Sequence, residues 1–183
     1  MKLTKLEVNI QQGQQGPVKA AEKGFSLIEL LIVVAIILII AAIAIPNLLR
    51  SKMAANEASA VGSVRTINTA EITYSTTWGV GYAAALSNLG GAVGCSASST
   101  TACLIDPVLS GGTKSGFTFA AVGNSAAGAV LNGYEVNATP QTVGTTGQRS
   151  FCSDQSGVIR DKTSGAAIGT GVGTCGTVTT ILQ

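Results

Sequence analysis

The chain has 183 residues, only 11% of them charged, and carries a net charge of +2. That length suits one compact domain with an extra element, and the absence of histidine removes the commonest general base and a favoured metal ligand. Outside residues 1–24 seven basic and seven acidic residues cancel, so the concentrated basic patch that nucleic-acid binding needs is missing and no nucleic-acid partner is expected.

Residues 1–24 set Lys2, Lys5, Lys19 and Lys23 against Glu7 and Glu22, a surplus of two positive charges. The next stretch, Phe25–Ile45, is apolar except for Ser26 and Glu29, and Leu30–Ile45 holds no charge. A helix needs about 20 such residues to cross the hydrocarbon core of a bilayer. A core helix apolar on every side would need a larger protein around it. Ala42-Ile43-Ala44 has the spacing of a signal-cleavage site, but the stretch exceeds the usual ~7–15-residue apolar region of a removable signal. A membrane anchor is therefore expected. Beyond it Arg50 and Lys52 against Glu57 leave a single positive charge, so the positive-inside tendency keeps the leader in the cytoplasm and sends the body across.

Glu29 is the anomaly in this stretch. A lone charge at a bilayer centre costs roughly 2.5–3.5 kcal/mol, so an acid in a span calls for a functional partner. Cleavage after Gly24 would make Phe25 a free amino terminus. Glu29 would then lie near the positive end of a helix, able to pair with that amine in its own chain or in a neighbour.

Lys23-Gly24-Phe25-Ser26-Leu27-Ile28-Glu29 resembles the class III signal of type IV pilins and related pseudopilins. The resemblance implies that an inner-membrane aspartyl protease, prepilin peptidase, cuts after Gly24 and N-methylates Phe25. It also implies that Glu29 neutralises the amine of an adjacent subunit and that Pro46 is the family's helix-kinking proline. The leader of 24 residues is longer than is usual for pilins that start with Phe. The fold implied is α+β: a long kinked N-terminal helix packed on a small antiparallel β-sheet headgroup. The function implied is that of a non-enzymatic structural subunit of a type IV pilus, without cofactor or metal. A pseudopilin of a type II secretion system is the alternative, and a membrane-tethered periplasmic binding module that never polymerises is a third reading. The partners implied are further copies of the chain, the peptidase, an inner-membrane assembly platform and motor ATPases. The precursor would sit in the inner membrane of a bacterium as a single-pass protein, and the product in an extracellular filament.

Pro46 removes a backbone donor, so a kink or local opening is expected there. Helical character then resumes through about Thr77, with Leu49, Met53, Ala60, Val64, Ile67 and Tyr74 marking an apolar stripe that Glu57 and Glu71 interrupt. A continuous helix over 25–77 would be roughly 80 Å long. The domains expected are a leader at 1–24, a helix at 25–78 whose assembly segment is 25–45, and a β-rich headgroup at 79–183.

Gly79, Gly81, Gly90 and Gly91 break the helix and mark a loop. "GYAAALSNLGG" (81–91) resembles a stretch that follows the long helix in many pilin-like proteins. Strands are expected at 116–120, 134–138, 149–153 and 157–160, with "SDQSG" as the turn between the last two. "RSFCSDQSGVIRD" resembles the last hairpin of pilin-like headgroups. The tail after it reads as a surface loop with a late edge strand.

Four cysteines beyond a membrane-type segment suggest two disulfides. Of the three pairings, Cys95–Cys103 and Cys152–Cys175 are favoured because each closes a local loop. The cysteines show no CxxC spacing, which argues against zinc. Asp154 and Asp161 are weighed as calcium ligands and read as turn residues. Ser110–Gly116 lacks the Gly-Lys-Ser/Thr order of a phosphate loop, and Asn137-Ala138-Thr139 reads as a chance sequon.

Overall fold

The computed structural model describes residues 24–125 and 130–182. The expected leader, apart from Gly24, lies outside the described residues. The chain divides into two compact units with the boundary between Ala41 and Ala42. Helix α1 spans Leu27–Trp78 and contains Pro46. The helix does not open into a break at the proline: α1 is continuous across it. Proline removes its own N–H, which is one bond of the ladder and not a whole turn.

Within the second unit, α1 leads into two short helices, α2 (Leu86–Leu89) and α3 (Pro107–Ser110). Neither was anticipated, because four residues show no periodicity. Asp106 explains α3: its carboxylate accepts the Leu109 N–H at 2.9 Å, and Pro107 takes the first helical position, where its missing N–H is harmless. The N–H bond of Leu109 holds the Asp106 carboxyl below the usual range, and Lys114, 3.0 Å away, adds to this.

Among the described residues five strands follow: β1 (Thr113–Lys114), β2 (Phe117–Asn124), β3 (Gly133–Pro140), β4 (Ser150–Asp154) and β5 (Arg160–Lys162). They form one antiparallel sheet in sequence order. The last strand corrects the expectation at 157–160. A turn bonds the Gly157 N–H to the Asp154 oxygen, and pairing resumes only at Cys152↔Arg160. Val158 and Ile159 are thus spent in the connection, although their β-branched side chains suit a strand. The late edge strand reduces to a single bridge, Arg160↔Ile181, after a 3-10 turn at Cys175–Thr177.

The period-two alternation of strands sorts the sheet into two faces. One face carries Phe117, Phe119, Ala121, Tyr134, Val136, Ala138 and Phe151, which share one core with Ala60, Val64, Ile67 and Tyr74 of α1. The other face carries Glu135, Asn137 and Cys152. Glu135 accepts from the Thr174 hydroxyl and the Cys175 N–H, and the Asn137 amide donates to the Ile168 oxygen. The C-terminal tail therefore covers the back of the sheet through polar bonds and the buried Cys152–Cys175 disulfide. The layers are helix, sheet and tail. Asn137 lies within a central strand and its amide is bonded, which does not suit a glycan acceptor.

Candidate processing and assembly segment

Gly24, Phe25 and Ser26 precede the helix in non-helical backbone, and α1 begins at Leu27. A Cβ on Gly24 would meet no atom within 4 Å, so nothing in the packing of the described residues requires glycine there. Phe25 is exposed. Glu29 Oε2 accepts the Ser26 N–H at 2.9 Å. Ser26 thus stands at the N-cap with Glu29 three residues on, half of the reciprocal capping box. Ser-Leu-Ile-Glu before an apolar run carries the sequence signature of this bond. The bond gives the Glu29 carboxylate a backbone donor at the positive end of α1.

Every Phe, Leu, Ile and Val from Phe25 to Leu49 is exposed, Val34 least at 45%. α1 is the one helix among the described residues long and apolar enough to cross a membrane, and none of its most apolar window is buried. Each such side chain is worth about 1.5–3 kcal/mol when taken out of water. Left in water, the segment would forfeit tens of kcal/mol, so an apolar surround is the environment it favours. Leu49, expected on the stripe facing the body, belongs to this exposed group instead, and Met53 is half-buried.

Further along α1 the two acids that interrupt the stripe sit on its buried side. Glu57 grips the chain ahead of β4: it accepts from the Gln148 N–H at 2.7 Å, the Arg149 N–H at 3.1 Å and the Arg149 side chain at 2.9 Å. Burial pushes its carboxyl up, but the Gln148 and Arg149 bonds outweigh this and hold it below its ordinary value. Arg149 also faces Asp161 at 3.7 Å and covers the Phe151 ring. Asp161, weighed as a calcium ligand, is thus engaged by a cation, and Asp154 accepts from Ser156 in a turn.

Glu71 is fully buried, and no cation among the described residues pairs with it. Its Oε2 accepts the Ala83 N–H at 2.8 Å, while Oε1 has no hydrogen-bond partner among the described residues. Burial pushes this carboxyl up to about 7, against the pull of the Ala83 bond. Tyr134, also buried, has its hydroxyl pushed above its ordinary value by burial and then by the Glu71 charge. Glu71 ties the end of α1 to the segment that turns back towards the sheet. Both acids escaped sequence reading because their partners lie far along the chain or in an irregular loop. The cysteines are joined as Cys95–Cys103 and Cys152–Cys175.

Comparison with known proteins bears on the N-terminal segment. Residues 19–45 match the family described as the prokaryotic N-terminal methylation motif. The chain is 66% identical over 35 residues to the type IV wide pilus major component PilA4 of Thermus thermophilus. That match covers 19% of this chain and spans about a quarter (27%) of the relative. No solved structure matches the chain.

Proposed function

We propose that this type IV pilin-like chain is a structural subunit of a type IV pilus, made as a membrane-anchored precursor and polymerised through its N-terminal helix. The observation that carries this reading is the uncovered apolar stretch of α1, headed by Gly24, Phe25 and Glu29 inside a methylation motif. The chain does no chemistry of its own. Prepilin peptidase cuts after Gly24 and methylates the amine of Phe25. Cleavage converts a neutral peptide nitrogen into a cation next to the Ser26 N–H that Glu29 already holds. In the filament the Glu29 carboxylate meets the amine of an adjacent subunit, and neighbouring apolar helices replace the lipid. A heterologous contact repeated in this way yields an open helical filament. The Thermus thermophilus relative is a major pilus component, which favours a pilus over a secretion pseudopilus.

Mass spectrometry of the mature protein is expected to find an N-methylated Phe25 terminus. An unprocessed leader would overturn the reading. Glu29→Ala is expected to leave protein in the membrane and strongly reduce sheared filaments, and normal filament yield would refute the pairing. Sheared filaments are expected to contain this chain as the main component. Recovery only in membranes would favour a pseudopilin or a tethered module.

A further inference from the structure

The two disulfides differ in the features that govern exchange with an outside thiol. Cys152 and Cys175 are both 0% exposed and packed with Ile168 and Val178. Cys95 and Cys103 are only half-buried, and both line an open cavity of about 250 Å³ with Gly91, Ala92, Val93, Gly94, Ile105 and Pro107. Among the described residues no carboxylate lines that cavity. Bare backbone forms its wall: a Cβ on Gly91 would come within 2.3 Å of the Cys95 sulfur. Cys103 is held at φ 57°, a left-handed conformation that residues with a Cβ disfavour. The loop closed here separates its cysteines by 8 residues, against 23 for the buried pair, so the cross-link constrains the unfolded chain less.

Opening this bond would not dismantle the body. The Ala102, Cys103 and Leu104 N–H groups donate to the Asn88, Gly90 and Leu89 oxygens, and the Tyr74 hydroxyl donates to the Ser99 oxygen. These bonds pin the far arm of the loop without help from sulfur. The stretch around Ala92–Gly94, which includes the 97% exposed Val93, is what the cross-link restrains.

We propose that Cys95–Cys103 is a thiol–disulfide exchange site for a protein dithiol, and that Cys152–Cys175 is a permanent structural cross-link. A partner thiolate attacks one sulfur, forming a mixed disulfide and releasing the other cysteine as thiolate. The partner's second thiolate then attacks the mixed bond and releases the remaining cysteine. Two electrons pass from the partner dithiol to the cystine; the partner leaves as a disulfide, and its two protons end on Cys95 and Cys103. The released segment becomes mobile while the helix–sheet core stays intact.

The full-length chain in detergent is incubated with graded dithiothreitol, trapped with iodoacetamide and mapped by peptide mass spectrometry. Cys95 and Cys103 are expected to be alkylated at about tenfold lower dithiothreitol than Cys152 and Cys175, with the circular dichroism spectrum unchanged. Both pairs opening together, the buried pair opening first, or loss of fold as Cys95–Cys103 opens would overturn the proposal. In a second arm, a thioredoxin whose resolving cysteine is changed to serine is expected to be captured on a Cys95 or Cys103 peptide. Capture on Cys152 or Cys175, or none, would also overturn it. A Cys95→Ser, Cys103→Ser double variant is expected to fold and to leave the dithiothreitol profile of Cys152–Cys175 unmoved; a shift in that profile would count against two independent bonds.

Discussion

One helix serves two solvents in this protein. From Leu30 to Ile45, α1 is apolar all round and its large side chains are uncovered. From Glu57 to Tyr74 its buried side includes Glu57, Ser63, Asn68 and Glu71 beside Ala60, Val64 and Ile67. The apolar stretch holds one acid at its head, and the polar-bearing stretch is the one that sits in a core. The difference follows from what each surrounds itself with. Lipid or like helices supply no directed partners, so charge is excluded. A sheet with loops supplies N–H groups and an arginine at fixed places, so carboxylates can be buried and bonded.

The comparison breaks most sharply with substitutions that affect one stretch only. Phe151→Ala is expected to cost the body about 3–5 kcal/mol, by lost transfer and cavity formation, and to leave membrane retention intact. Ile36→Asp should do the reverse, adding about 2.5–3.5 kcal/mol to membrane insertion while the unfolding midpoint of the body stays put. Denaturant unfolding in detergent and membrane fractionation read the two effects. A variant that moved both would deny the division.

Glu71 gives the next largest effect. Its folded carboxyl binds its proton more tightly than the unfolded one, so its stabilising share is complete below about pH 4.5 and is lost as the pH rises through about 7. Unfolding free energy is expected to fall between pH 5 and pH 8, by on the order of 2–3 kcal/mol, and Glu71→Gln should flatten that slope. An unchanged slope in the variant would place the titration elsewhere.

Glu57 has the opposite sign. Its folded carboxyl is held low, so its contribution is present above the unfolded value and disappears as the pH falls through the folded one. Glu57→Ala is expected to cost about 1.5–3 kcal/mol at pH 7, from lost charge-assisted bonds, and almost nothing once the wild-type carboxyl is protonated in acid. Asp106→Ala is the smallest, about 1 kcal/mol from the lost cap of α3, seen as a small drop in midpoint with no effect on membrane retention.

Much of the architecture was legible before any coordinates. The apolar run, the helix to about Thr77, three of the four strands and the meander order follow from hydropathy and spacing within short windows. The fourth strand was misplaced because Val158 and Ile159 have strand propensity but sit in a connection set by the Gly157 turn. α2 and α3 were too short to leave a period. Glu57 and Glu71 read as breaks in the stripe. Glu57 finds its partners 91 and 92 residues away, a distance no local pattern reports. Glu71 finds its donor 12 residues on, in an irregular segment. The Glu29 bond to Ser26 was within reach, three residues apart.

The sequence alone determined that residues 25–45 need an apolar surround, because no arrangement of a small, lightly charged body can cover a helix oily on every side. It also determined the long helix and three of the strands, since those periods are local. Only the tertiary structure decided which acids are buried, which face of the sheet meets α1 and which the tail, and which disulfide lies open. Those outcomes depend on groups from distant segments meeting in space, where burial and hydrogen bonding act on the pair and not on the residue.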